Sequence, residues 1–137
     1  MISICMEFIE DRADKVYVYA SCEESIISSR FFYLINNKYV KSHKVNDALK
    51  DGDEKYDVSP YRGFKVLEII NEDIEKIKLL CKEYKRDMPT EMKLIYDVKS
   101  GSLKAEYKYE LIYTNHDTKT ARQIADEWFD EIKSNNL

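Results

Sequence analysis

Glycine is scarce in this chain of 137 residues: Gly52, Gly63 and Gly101 are the only three, and no two lie close together. A loop that cradles phosphate needs clustered glycines so that backbone N–H groups can approach the anion. The nucleotide and dinucleotide motifs are therefore missing in their usual form, and no cofactor is expected. Histidine is scarcer still. His43 and His116 stand without the paired Cys/His spacing of a zinc site and without a nucleophile beside them in sequence. Three cysteines, Cys5, Cys22 and Cys81, are odd in number and widely spread. That pattern suits reduced thiols in a cytoplasm better than a disulfide framework, so a cytoplasmic location is expected. No run approaches the ~20 apolar residues of a membrane helix, so no membrane partner is expected. Ile2 to Ile9 is apolar but lacks a basic leader and a small-residue cleavage site, which argues against a signal peptide.

What the chain does have is charge and β-forming aromatics. Charged residues make up 35% and hydrophobic residues 44%, the balance of a globular domain rather than a disordered one. The length is one domain's worth, enough to bury about two-thirds of the unfolded surface. With 22 basic and 26 acidic residues the net charge is −4. This argues against nucleic acid as a partner and leaves a basic protein partner open.

Periodicity reads most clearly between Glu91 and Tyr113. Met92, Leu94, Tyr96 and Val98 alternate with Lys93, Ile95, Asp97 and Lys99. After Lys99-Ser100-Gly101-Ser102 the alternation resumes, with Leu103, Ala105, Tyr107, Tyr109, Leu111 and Tyr113 against Lys104, Glu106, Lys108, Glu110 and Ile112. Side chains of a strand alternate between faces, so this is a β-hairpin whose strands each have one buried and one wet side. Gly101 supplies the positive φ that the connection needs.

Upstream, the three- and four-residue spacing of Ile2, Cys5, Met6 and Ile9 predicts a helix over 2–12. Strands follow at 16–22 and 29–35, parted by Glu23-Glu24-Ser25, and a third at 38–45 after an Asn36-Asn37 turn. Asn46 to Ser59 reads as an exposed acidic loop. Ser59-Pro60 marks a helix start, and Asn71-Glu72-Asp73 a second one, so 72–87 is the firmer helix and 60–70 its provisional extension. Met88-Pro89-Thr90 stops it. Beyond a polar cap at 114–118, Ala121, Ile124, Ala125, Trp128 and Ile132 form the inner stripe of a last helix. The expected fold is α+β: a single antiparallel β-sheet of about five strands in one domain, with helices packed on it in the order α-β-β-β-α-β-β-α. The helices are expected against one of its faces.

Candidate chemistry is thin. Asp126, Glu127, Asp130 and Glu131 fall at helical spacings that bring carboxylates together, as a metal or glycosidase site requires. Arg122 and Lys133 lie nearby, and the plainer reading is a solvated acidic face. Asp51-Gly52-Asp53-Glu54 resembles a calcium loop only superficially, because its glycine is misplaced and the closing glutamate is missing. Two surfaces are candidates for partner binding. One is the acidic loop with Asp47, Asp51, Asp53, Glu54 and Asp57, joined by Glu23 and Glu24. Like-signed clusters speed association with a basic partner. The other is the open sheet face, where Tyr17 and Tyr19 point outward if Val16 and Val18 face the helices. The plainer readings are a solvated loop and tyrosines covered by the chain's own elements, since antiparallel sheets can be covered on both sides.

The residues Lys15-Val16-Tyr17-Val18-Tyr19, Phe31-Phe32-Tyr33, Tyr39 and Ser42-His43 resemble the YezG-like family of bacterial immunity proteins. The similarity continues through Glu83-Tyr84-Lys85, Gly101 and Tyr107-Lys108-Tyr109, covering roughly residues 5–113. The resemblance implies an antitoxin: a cytoplasmic protein, not an enzyme, that binds and neutralises a toxin domain, often a nuclease in that family. An acidic secretion chaperone that holds an effector segment is the alternative, since such chaperones resemble this element order, and it carries a homodimer with it. A small metal-dependent hydrolase built on the 126–131 carboxylates is the third reading.

Overall fold

The computed structural model describes residues 1–114 and 119–135. The elements run α1 (Ile2–Phe8), β1 (Lys15–Glu23), β2 (Ile26–Ile35), β3 (Lys38–Lys41), a 3₁₀ helix (Ser42–Ala48), α2 (Pro60–Glu83), β4 (Glu91–Asp97), β5 (Ser102–Lys108) and α3 (Ala121–Asn135). All five strands join one antiparallel sheet in the order β3-β2-β1-β4-β5. The fold is α+β, in the element order expected. Of the polar cap expected at 114–118, residues 115–118, with His116, lie outside the described residues.

Two-residue turns set the register of the first three strands. Glu24 and Ser25 (φ 50° and 67°) and Asn36 and Asn37 (φ 50° and 65°) are all left-handed, the mirror-image geometry that matches strand twist. Asparagine accepts it readily, whereas Glu24 and Ser25 each take on about 1 kcal/mol of strain. The strands beside that turn are longer than the polar tripeptide implies, because Glu23 and Ile26 pair across it.

Both sheet faces are covered, which corrects the one-sided expectation. Val16, Val18, Ala20, Phe31 and Tyr33 pack with Cys5, Phe8, Val66, Ile70 and Ile74 beneath α1 and α2. Tyr17, Tyr19 and Phe32 pack on the opposite side with Ala125, Trp128, Phe129 and Ile132 of α3. The Trp128 ring meets Phe32 edge-on at 5.2 Å, and Phe129 meets it at 5.0 Å, contacts worth about 1 kcal/mol each beyond area burial. The Val/Tyr alternation of β1 therefore marks two buried faces, tyrosine being apolar enough to fill the second.

Several boundaries also differ. The first helix ends at Phe8 rather than continuing to 12, because Glu10 and Asp11 turn left-handed (φ 54° and 59°) and deliver the chain to β1. The third strand stops at Lys41: Ser42 to Ala48 curls into a 3₁₀ helix that buries Val45 and Ala48. The provisional extension and the firm helix are one continuous helix, α2. The last strand ends at Lys108 rather than Tyr113, and every one of its residues is exposed, so the wet-and-buried division fails there.

The ladder also fixes which peptide groups face outward. Cys22 N donates to Thr90 O and Val98 N to Asp14 O, both at 3.0 Å. Even-numbered residues of β1 therefore bond to β4, and odd-numbered ones to β2. By the observed registers, Ile27, Ser29 and Phe31 of β2 turn N–H and C=O away from β1. Leu103, Ala105 and Tyr107 of β5 likewise turn theirs away from β4.

Candidate protein-binding site

The short β3 leaves half of its neighbour's edge unpaired. It pairs only with Phe32 to Ile35, so the outward peptide groups of Ile27 and Ser29 lie beyond its end. A cleft of about 400 Å³ opens where β3 gives out, beside Arg30, Phe31 and Phe32 of β2 and Lys41 to His43. Phe64 and Leu67 of α2 form one wall, Arg122, Ala125 and Phe129 of α3 the other, and Phe32 and Arg30 the floor. A shallower hollow continues it past Ile27, Phe64, Leu67 and Asn71 toward Glu68, Glu72 and Glu75. Phe64 is 69% exposed, a large apolar side chain at the rim. Ser29 Oγ donates to Asn71 Oδ1 at 2.7 Å and pins α2 over the strand.

The deep end of the cleft is cationic. Arg30 Nη1 donates to Ser29 O at 2.7 Å, occupying one outward carbonyl of the edge. Burial pulls the Arg30 pKa below its ordinary value, the nearby Arg122 charge adds to this, and Asp126 opposes it. Lys41 Nζ pairs with Asp126 at 3.0 Å, which leaves Arg30, Arg122 and Lys41 facing a single carboxylate. The cleft and its continuation thus combine apolar walls, a strand edge with outward peptide groups, a cationic end at Arg30, Arg122 and Lys41 and an acidic end at Glu68, Glu72 and Glu75. Together these suit an extended segment with acidic groups toward one end and basic groups toward the other.

The residues expected at an interface are dispersed. Tyr17 and Tyr19 are buried under α3, at 0% and 1% exposure, so neither is available to a partner. Burial pushes both phenols well above their usual pKa, and Tyr19 also donates to Glu91 Oε2 at 2.8 Å. Glu23 is a second correction. Its side chain is buried, and its carboxylate accepts from the N–H groups of Ile112 (2.9 Å), Tyr113 and Thr114 and from Thr114 Oγ1 (2.8 Å). It clamps the segment after β5 to the end of β1. Glu24 is exposed in the turn beside it.

Asp47, Asp51, Asp53, Glu54 and Asp57 are all exposed, but at the other end of the sheet. Asn46 holds this loop by accepting from Tyr56 N (2.8 Å) and donating to Tyr56 O (3.1 Å). Arg12 donates to Glu54 O and stacks 4.0 Å from the Tyr56 ring. Asp57 accepts from Ser59 N, which lowers its pKa. The loop is tethered to the Asn36 turn through Ala48 O, whereas Glu24 follows the far end of the nine-residue β1. A strand of that length spans roughly 27 Å, so the two acidic groups share no surface.

On α3, Asp126 pairs with Lys41 and Glu127 with Lys119 at 2.8 Å. Among the described residues no three His, Cys, Asp or Glu side chains are grouped to hold a metal ion. His43 is exposed and sits in the 3₁₀ helix, not in a strand. All three cysteines are free, and no described helix is long and apolar enough to cross a membrane. No family model matches the chain, and no curated protein matches it.

Proposed function

We propose that this chain is an immunity protein: an antitoxin that neutralises a bacterial toxin domain by forming a stoichiometric complex, without catalysing a reaction. One observation carries the binding half of this reading, namely the aromatic cleft along the unpaired edge of β2. The likeness of Lys15–Tyr19 and Phe31–Tyr33 to YezG-like sequences supports the identity of the partner. In this scheme an extended segment of the toxin adds to β2 as a further strand, with side chains alternating between the Phe64 and Phe129 walls. If the toxin is a basic nuclease, the separate acidic loop steers its approach and stands in for nucleic-acid phosphates.

Co-production with the toxin domain encoded beside its gene should restore growth and yield an equimolar complex. Phe64→Ser and Arg122→Glu should each weaken that complex about tenfold. Unchanged affinity in both would move the contact off the cleft, and no complex at all would overturn the reading. Reversing Asp51, Asp53 and Glu54 to lysine should slow association and flatten its salt dependence. Unchanged kinetics would remove the loop from the mechanism.

The free edge also suits a secretion chaperone, which would hold an unfolded effector segment there. A bound partner that stays folded, as judged by its own hydrogen exchange, decides against that second reading.

A further inference from the structure

On the opposite margin a pocket of about 360 Å³ lies between α3 and the sheet, with Ser102, Lys104 and Glu106 along its β5 side. All seven residues of β5 are exposed, and Leu103, Ala105 and Tyr107 present peptide groups along it that are unpaired among the described residues. Natural sheets blunt such an edge with proline, a bulge, a covering helix or unanswered lysines. Here there is no proline, the register with β4 is continuous, and no helix makes an extensive contact with the strand. Its two interior charges, Lys104 and Glu106, are opposite in sign.

We propose that two copies of this chain pair through β5, antiparallel about a two-fold axis at Ala105, to form one continuous ten-stranded sheet. The sequence is self-complementary in that register. Lys104 then lies opposite Glu106 of the second copy, and Glu106 opposite its Lys104, giving two cross-strand ion pairs on the α3 side. On the other side Leu103 faces Tyr107 of the second copy, and the reverse, over the small Ala105 pair. Leu103 and Tyr107 are 56% and 52% exposed in the single chain, so both gain cover. The outward peptide groups of these three residues supply about six backbone hydrogen bonds. Shifting the axis by one residue fails: centring on Lys104 sets it against its own copy, and centring on Glu106 does the same and also opposes Lys104 to Lys108. Like charges directly opposite destabilise a pair of strands. Centring on Tyr107 also sets Glu106 against Lys108, but it carries Lys104 opposite Glu110, beyond the end of β5. The Ala105 register pairs both charges within the strand, and this choice of partner rests on charge complementarity rather than on the proposed toxin.

The test is sedimentation equilibrium of the full chain across a concentration series reaching millimolar. Reversible dimerisation is expected. Lys104→Glu and Glu106→Lys should each weaken it about tenfold or more, because two attractive pairs become repulsive. Mixing the two variants should restore a heterodimer, and the double variant a homodimer. Ala105→Pro should abolish pairing while leaving the fold intact, since the lost N–H points away from β4. A wild type that stays monomeric throughout would overturn the proposal. So would charge variants that dimerise as the wild type does, or a mixture that fails to recombine. None of these readings depends on the toxin complex.

Discussion

The two margins of this sheet are unpaired for different reasons, and the difference indicates what each can accept. On β2 the neighbouring strand stops early, and helices from both faces overhang the gap. An incoming chain there meets aromatic walls and guanidinium groups as well as backbone, so it is selected by its side chains. On β5 the outer edge is open and α3 lies only to one side, across a pocket that Lys104 and Glu106 share with Trp128 and Glu131. Selection there falls to the charges carried on the strand itself. On the readings proposed above, the walled edge takes a foreign segment, and the bare edge with matched charges takes its own copy.

The largest effect expected is one that removes both margins at once. Burial raises the Cys5 thiol from its ordinary value to about 12, and the phenols of Tyr17, Tyr19 and Tyr33 are raised as well. These groups are neutral when protonated, so their contribution is intact below their ordinary pKa values of roughly 9 to 10. It is lost as pH climbs toward the folded values. Far-UV circular dichroism should therefore show cooperative unfolding as pH rises through 10 toward 12, with exposed tyrosines ionising first. A fold unchanged at pH 12 would contradict the assigned burial.

Trp128→Ala separates the margins. It should cost about 3–5 kcal/mol in urea unfolding and loosen the α3 wall of the cleft, while self-association of the remaining folded protein persists. Loss of dimerisation in step with the cleft would mean that the edges are not independent. Glu23→Ala strands the N–H groups of 112–114 and should cost about 2–3 kcal/mol, with hydrogen exchange rising first in that segment. Gly101→Ala meets no atom within 4 Å, but its φ of 71° stays strained. A loss of about 1 kcal/mol is expected, with the β5 margin affected and the β2 margin not. Smallest is Phe64→Ser, within about 0.5 kcal/mol of wild-type stability because the ring is mostly in water. Its effect should appear only on partner affinity.

Much of this architecture is legible in the sequence, because local chemistry dictates it. Asn36-Asn37 can hold left-handed angles, the β4–β5 alternation survives as an observed register, and the Ala121–Ile132 stripe is the face that α3 buries. The remainder depends on long-range packing. Whether tyrosines alternating with valines face solvent or a helix is decided by α3, more than a hundred residues downstream, so the sequence leaves Tyr17 and Tyr19 open between an interface and a second covered face. Glu23 looks like any turn acid until the chain after β5 returns to it. Lys38–Val45 has strand-forming residues throughout, yet burying Val45 and Ala48 bends it away after Lys41. That bend opens the cleft, whose lining (Arg30, Phe64, Arg122, Phe129) comes from three elements with no shared motif. The opposite charges around Ala105 were visible in sequence, but they acquire meaning only once β5 is known to be the last strand.

The strand order has a consequence for stoichiometry. Because β2 and β5 lie on either side of the β1–β4 pair, a twin docked on β5 leaves both clefts at the far ends of the joined sheet, pointing apart. Each protomer would then fill its site without sensing its neighbour, so a calorimetric titration should follow a single-site isotherm with one ligand per subunit. Two captured ligands would ride on one particle too far apart to touch.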